Sequence, residues 1–389
     1  MKILITSLIC CFVLSFTSFA QEKEDQGYKF KTQVELKYTP VKDQYRSGTC
    51  WSYATISFIE SELLRLNKGI FDLSEMFYVH DAYRTKASKY IRYHGNYNFG
   101  PGGQAHDVFN SIKKYGIVTQ QEYSGIPLEN DNKPDHGEMD AVLSGFLKSL
   151  SEYRTSKLSS QWQLAFNAVL EAYMGKLPSS ENNSINELYG IDPNDYVEIT
   201  SFTHHPFYSQ FVLEIPDNWS GNTYYNVPID ELIEIVHYSL DKGYTVCWDG
   251  DVSDKGFSHS NSIAISPVLQ PISDDGTEMA KWEKMTDKEK NEIIYNFKNV
   301  RSERTITQQM RQDAFDNYQS TDDHLMHIIG KAIDQNGKSY FITKNSWSDK
   351  SNSTGGLLNI SEAYARLNTI AILVHKQAIP SDIREKLNL

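Results

Sequence analysis

The sequence predicts an α+β protein of two lobes facing each other across a cleft. Two observations carry this. Up to about residue 195 apolar residues recur at helical spacing, and beyond it they gather in short β-like runs. The chain shows no internal repeat and no long linker, so the two halves read as one folded unit.

Taken in order, residues 21–43 are polar with some alternation around Lys31–Leu36 and read as an extended N-terminal arm. From Trp51 to Leu64, Ile56, Ile59 and Leu63 fall on one helical stripe with Ala54 and Phe58 beside it, which places Cys50 at a helix N-terminus. Residues 70–125 continue helical, with Ser74–Phe77 opening one segment and Gly102-Gly103 marking a tight turn. Residues 137–177 read as a helical pair and Ser179–Asn186 as a polar loop. The β-like runs are Tyr196–Ile199, Phe211–Ile215 and Tyr244–Trp248, interrupted by a helix from Asp230 to Lys242. Residues 281–317 are charged and helical, with Thr286-Asp287-Lys288-Glu289 as a capping box and the 281–304 charge run as solvated surface. Strands Met326–Ile333 and Ser339–Lys344 flank Asp334-Gln335-Asn336-Gly337, a hairpin signal, and a last strand runs from Ile370 to His375.

The 389 residues are 40% hydrophobic and 23% charged, which excludes wholesale disorder. Only 22 Gly and 12 Pro exclude collagen-like and Pro-rich architectures. A net charge of −12 argues against a nucleic-acid surface, which needs a basic face. Lys2, the apolar run Ile3–Phe19 and the close on Ser18-Phe19-Ala20 carry the marks of a secretory signal peptide over residues 1–20. The run is short for a membrane span, so the expectation is export to a periplasmic or extracellular space without stable membrane insertion after cleavage. Cleavage removes Cys10 and Cys11 and leaves Cys50 and Cys247, which an oxidising compartment could bridge.

The sharpest local signal is Gln44-Tyr45-Arg46-Ser47-Gly48-Thr49-Cys50-Trp51-Ser52. A cysteine at a helix N-terminus has its thiolate stabilised by unpaired N–H groups and the macrodipole, which suits a nucleophile. Gln44 can set an amide N–H beside the Cys50 backbone N–H to receive an oxyanion, and Gly48 lets the backbone approach a substrate. Taken alone, Cys-Trp before a helix reads more readily as a buried core thiol. A thiolate also needs a base. Asp323-His324-Leu325-Met326-His327-Ile328-Ile329-Gly330 puts two histidines at the start of a strand, and Lys344-Asn345-Ser346-Trp347 ends its partner. Asn345 can orient an imidazole and Trp347 can shield that hydrogen bond from water. His324 and His327 are poorly spaced for a metal pair on a strand, and no further ligand cluster accompanies them. His204-His205-Pro206 reads as a turn or surface pair, and Cys247 as a buried thiol. No metal and no cofactor is expected.

Gln-x-x-x-Gly-x-Cys-Trp, His-x-x-x-x-x-Gly and Lys-Asn-Ser-Trp, in that order, resemble the papain superfamily of cysteine peptidases. The closer resemblance is to its bleomycin hydrolase/aminopeptidase C branch, through Leu73–Phe77, Gly102-Gly103-Gln104, Asn194–Val197, Val227-Pro228-Ile229 and Tyr244–Val252. Ser47 stands where the common papain signature has a cysteine, as in that branch. The resemblance implies a papain-like two-lobed fold with a helical insertion: a helical lobe over about 21–135, an insertion over about 136–195, a β-barrel-like lobe over about 196–380, and a tail at 381–389, all one unit spanning 21–389. It implies Cys50 as nucleophile, His324 as general acid/base, Asn345 as orienting residue and Gln44 as oxyanion donor. It further implies that Gly102 and Gly103 hydrogen-bond the substrate backbone, that Ala105 lies near a side-chain subsite, and that Trp347 shields the His324–Asn345 bond. His324 is chosen over His327 because it lies six residues before Gly330. The implied activity is peptide hydrolysis at free N-termini, without a long inhibitory pro-region. Open alternatives are an endopeptidase with an uncovered cleft, an acyltransferase or amidase, and an inactive binding protein. Members of that branch form hexamers whose C-terminal arm lies in the cleft; here the arm is short and the chain carries an export signal, two departures from the branch.

Overall fold

The computed structural model describes residues 27–126, 133–153, 157–178, 189–271 and 276–389, so the signal segment and the loop at 179–186 lie outside the described residues. The first half folds into helices α1 (Cys50–Arg65), α2 (Met76–Arg92), α3 (Ala105–Tyr115), α4 (Gly137–Glu152) and α5 (Gln161–Met174). Helix α1 departs from the single stripe its sequence suggests, because every residue from Trp51 to Leu63 is buried. Its apolar side (Ile56, Phe58, Ile59, Leu63, all 0% exposed) packs with Phe77 and Val79 of α2 and Val108 and Ile112 of α3. Each such side chain contributes about 2–3 kcal/mol by leaving water. Its polar side is buried too, and partnered: Glu60 accepts from Lys42 (3.2 Å) and the Leu73 N–H (2.9 Å), and Glu62 takes a two-pronged bond from Arg65.

The N-terminal arm becomes strand β1 (Phe30–Glu35), and the second half adds β2 (Tyr196–Thr200), β3 (Gln210–Val212), β4 (Thr223–Asn226), helix α6 (Ile229–Asp241), β5 (Val246–Gly250), β6 (Phe257–Ser258) and β7 (Ile263–Ala264). Helices α7 (Gly276–Lys284), α8 (Asp287–Ile294) and α9 (Gln308–Asp316) follow, then β8 (His324–Asp334), β9 (Ser339–Lys344), β10 (Leu357–Ser361), α10 (Glu362–Asn368), β11 (Thr369–His375) and α11 (Ser381–Lys386). The strands make one mostly antiparallel sheet in the order β3-β4-β2-β11-β5-β8-β9-β10-β7-β6, with β1 also paired to β8. Strand β8 is its hub, bonded to β5, β9 and β1. Alternation of side chains gives the sheet two faces. Cys247, Leu325 and Leu373 join the helical core around α1, while Val246, Trp248, Met326, Ile328, Ile372 and Val374 face a second core with Leu232, Ile235 and Val236 of α6.

Several boundaries differ from the sequence reading for local reasons. Strand β5 starts two residues late because Gly243 (φ +84°) and the Tyr244 N–H bond to Ser239 O close the end of α6 first. Strand β3 stops at Val212, where Asn218 Nδ2 takes the Leu213 carbonyl and turns the chain. The 281–317 stretch is helical only in parts. The Thr286 capping box holds, with Thr286 Oγ1 and the Glu289 carboxylate satisfying each other's backbone N–H groups. Residues 295–307, however, cross to the sheet edge, where the Pro267–Glu303 bridge forms. There Arg301 is buried and Glu303 accepts from Ser361 Oγ (2.6 Å), so the 281–304 run is not all solvated surface. The tail at 381–389 is not a free arm: it forms α11, with Ile383 and Leu387 buried and Leu389 packed into the core on the α6 side.

Candidate active site

Cys50 is the first residue of α1, and the Leu325 backbone N–H acts on its sulfur, which puts it beside the residue that follows His324 in β8. Gly48 has a reason of its own. Its φ of +65° is a conformation that side-chain-bearing residues avoid, and a Cβ there would come within 2.7 Å of Pro101 Cγ. Ser47 keeps its hydroxyl inside the loop, donating to Gln44 O at 2.8 Å.

His324 Nε2 and Asn345 Oδ1 are 2.8 Å apart. An amide oxygen accepts only, so Nε2 carries the proton and Nδ1 is left as the basic nitrogen. The Asn345 oxygen is held in turn by the Ser346 N–H (2.7 Å), and its Nδ2 donates to His259 Nδ1 (3.3 Å). The Trp347 ring lies over His324 at 4.7 Å between centroids, with His259 against its other contacts at 4.9 Å. Gln44 is tied to the same loop: its N–H donates to Ser346 O (2.8 Å), and its Oε1 accepts from Ser346 Oγ (2.6 Å). That orientation turns the amide so that Nε2 is the end available as a donor. Cys50, His324, Asn345, Gln44 and Trp347 are therefore brought together by α1, β8 and the turn after β9.

His327 goes elsewhere. Its Nδ1 meets Ser57 Oγ on α1 at 2.8 Å and its ring packs edge-on against Phe58. Cys247 is a free, buried thiol in β5 near Thr55, and Cys50 is also unpaired. His204 and His205 both hydrogen-bond Glu214, at 3.1 and 3.0 Å, and these three are the group among the described residues whose ligand atoms could gather about an ion.

The segment before α3 lies across from Cys50. Trp51 Nε1 donates to Pro101 O (2.8 Å), and its indole sits under Gly103. Lys86 Nζ bonds the carbonyls of Gly100 (2.8 Å) and Gly102, so part of this backbone is already occupied within the protein. A Cβ at Gly102 would fall 1.9 Å from Asp217 Oδ2, which explains this glycine by the approach of a carboxylate. Ala105, the first residue of α3, is 3% exposed.

Burial pushes the Cys50 thiol up to about 12, opposed by the Leu325 N–H and reinforced by the carboxylates of Asp217, Asp249 and Asp322. Burial also pushes His324 down to about 4, against the bond to Asn345 and the charge of Asp323. Both shifts favour a neutral thiol beside a neutral imidazole at rest. Such a pair can still act if the imidazole accepts the thiol proton as the sulfur attacks. Leu325, Ser346 and His259 are site residues that motif reading passed over. They contribute backbone groups or positions visible only once β8, β9 and the loop after β6 are assembled.

Residues 29–218 match the family described as Papain family cysteine protease. No curated protein matches the chain in sequence. Among solved structures, PepW from Lactobacillus rhamnosis is similar with a TM-score of 0.66 and 18% identity, covering 92% of this chain and 84% of that one. The bromelain protease of Ananas comosus in complex with the E64 inhibitor gives 0.37 at 13% identity, over 87% and 94% of the two chains. A digestive procathepsin L 3 of Tenebrio molitor larval midgut gives 0.38 at 14%, over 89% and 70%. The family match spans the nucleophile half and stops before β8, and the likeness to PepW carries the same fold through the half that holds His324 and Asn345. Residues 29–218 thus match the papain family of cysteine proteases, and the chain as a whole has a papain-like α+β fold.

Proposed function

We propose that this protein is an exported cysteine peptidase that removes residues from the free N-termini of peptides through a thioester on Cys50. The observation that carries the chemistry is the His324 Nε2–Asn345 Oδ1 bond of 2.8 Å, on the strand whose next N–H meets the Cys50 sulfur. With Nε2 protonated, Nδ1 accepts the thiol proton as sulfur attacks the scissile carbonyl. The Cys50 N–H and Gln44 Nε2 receive the oxyanion. His324 then gives its proton to the departing amine and later takes one from the water that cleaves the thioester. Asn345 holds the ring through both transfers, and Trp347 keeps water from their hydrogen bond.

Export rests on the signal-like residues 1–20. Among the described residues no helix is long and apolar enough to cross a membrane. Assembly into a ring of copies, as in the resembling branch, belongs to the same proposal and is checked by light scattering on the purified protein.

One observation favours a second reading, endopeptidase action. Residues 381–389 pack on the α6 side of the sheet, away from α1, with Lys386 bonded to Glu231 at 2.8 Å. The deciding experiment compares a free-amino and an N-blocked fluorogenic peptide under reducing conditions, with wild type and Cys50→Ala. The free-amino peptide is expected to be cut faster, and only by wild type. Equal signal from Cys50→Ala would overturn the mechanism, and faster cleavage of the blocked peptide would overturn the aminopeptidase reading in favour of the second.

A further inference from the structure

Three carboxylates from three separate segments act on the Cys50 sulfur: Asp217 after β3, Asp249 in β5 and Asp322 just before β8. Asp249 stands opposite Leu325 in the β5–β8 register, and so on the α1 face of the sheet with Cys247. It is 3% exposed, and apart from the Asp322 carboxyl neither of its oxygens meets a hydrogen-bond donor among the described residues. Its close polar neighbour is another carboxyl, Asp322, whose two oxygens each lie 3.1 Å from Gln104 Nε2. Asp217 closes over Gly102 and takes Asn98 Nδ2 at 3.1 Å. A second polar group nearby, the Tyr224 hydroxyl, on a residue 0% exposed, has no partner among the described residues and feels Glu198, Asp249, Asp322 and Asp107.

The buried acids beside Lys42 are answered. On the far side of α1, Lys42 reaches Glu60 at 3.2 Å and Glu75 at 2.6 Å. Around Asp249 and Asp322, no Lys or Arg among the described residues forms an ion pair. Lys86 acts on Asp217, while two of its N–H donors go to the Gly100 and Gly102 carbonyls. Buried carboxylates without a cation are costly, and acceptor-only oxygens facing an unpartnered hydroxyl match a group with several N–H donors and a positive charge.

We propose that Asp249, Asp322 and Asp217 form a binding site for a primary ammonium group of the substrate, set between the Gly102–Gln104 segment and β5 and beside Cys50. This rests on the peptidase reading for its biological use, though not for its chemistry. An N-terminal α-amino group on the residue being attacked, or a lysine side chain one residue earlier, would present that ammonium. Asp249 faces Asp322, Asp217 and Glu198; Asp322 faces Asp217, Asp249 and Asp323; Asp217 faces Lys86 and Asp107. Burial, then the Asp322 charge, pushes Asp249 well above the usual carboxylate range, and burial, with Asp217 adding to it, pushes Asp322 up to about 7, so protons compete with the ammonium and binding tightens as pH rises through 7.

The test is calorimetric titration of the Cys50→Ala protein with leucinamide, acetyl-leucinamide, acetyl-Leu-leucinamide and acetyl-Lys-leucinamide. An ammonium-bearing ligand is expected to bind about thirtyfold more tightly than its neutral counterpart, the worth of a charged hydrogen bond. Preference for leucinamide over acetyl-leucinamide identifies the α-amino group, and preference for acetyl-Lys over acetyl-Leu the side chain. Adding Asp249→Asn or, separately, Asp322→Asn collapses that preference, with thermal melts confirming the fold of each variant. Equal affinity for charged and neutral ligands overturns the proposal, as does a preference that survives in either folded variant. Hydrolysis plays no part in this readout, so an inactive wild type would sink the peptidase reading alone.

Discussion

On the face of the sheet turned to α6, Val246, Trp248, Met326, Ile328, Ile372 and Val374 pack on Leu232, Ile235, Val236 and the buried Ile383 and Leu387 of α11. On the face turned to α1, neighbouring positions of the same strands hold Glu198, Cys247, Asp249, Leu325 and His327. The first face is apolar and closed. The second buries acids, a thiol and an imidazole, two of which, Asp249 and His327, have atoms without a partner among the described residues. Alternation along β5 and β8 thus separates an apolar face from one that holds buried acids, a thiol and His327 at a cost in stability, while His324, at the start of β8, shares the parity of Met326.

The polar face gives the largest expected effect. Lys344 Nζ is buried, donating to Ser57 Oγ at 2.8 Å and Thr39 Oγ1 at 3.2 Å, one residue before Asn345. Burial lowers it to about 8, and the Glu60 carboxylate opposes that shift. Lys344→Met removes the cation and is expected to cost about 4 kcal/mol in urea unfolding, because two buried hydroxyls lose their donor and Glu60 loses a nearby positive charge. Activity should fall as well, since Asn345 loses its anchored neighbour. A stability unchanged or raised would mean that the polar face is held by Lys42 alone, and the contrast between the faces would lose half its force.

On the closed face, Leu232 is 0% exposed in the core shared by α6 and the sheet. Leu232→Ala is expected to cost about 3 kcal/mol, through lost transfer energy and the cavity left behind. Turnover per folded molecule, measured well below the melting temperature, should stay at the wild-type value. A fall in turnover with stability intact would show that the two faces are mechanically coupled.

Much of the site could be read from residues in order, because its groups lie in short motifs whose local geometry is self-determined. Cys50 opens α1, and Asn345 closes the strand that a Gln335-Asn336-Gly337 turn pairs with His324's strand. The Thr286–Glu289 box was legible for the same reason. What lay hidden depends on contacts distant in sequence. Strand β1 pairs with β8 across some three hundred residues of chain, and Phe30 meets Asp334 there. The parallel pairs β2–β4 and β7–β10 carry no turn signal. Strand β10 and helix α10 went unread, although Ser361 caps α10 through Tyr364 N–H. Asp249 and Asp322 each sit beside a conspicuous motif, yet nothing in the order of residues says that their carboxyls meet.

The smallest predicted effect separates two residues of one kind, His324 and His327, three apart on β8. His327 is fully buried and its Nε2 has no partner; burial, then the nearby Lys344 charge, holds its pKa well below 6.5. It stays neutral while folded and becomes protonated below 6.5 only on unfolding. A group of this sign contributes no penalty at pH 7 and destabilises increasingly as pH falls below 6.5, because the unfolded chain then binds a proton that the folded chain refuses. His327→Gln should therefore cost about 1 kcal/mol at pH 7, the worth of its bond to Ser57, while sparing activity. As pH falls to 5 the wild type carries a growing penalty from this one ring, so the variant's deficit should shrink and then reverse. Denaturant unfolding at both pH values checks the crossing, and parallel curves would place His327 in contact with water. For His324 the same burial has a catalytic consequence: the ring must be neutral to take the thiol proton, so kcat/KM on an N-blocked peptide should hold down to about pH 4 and fall below it.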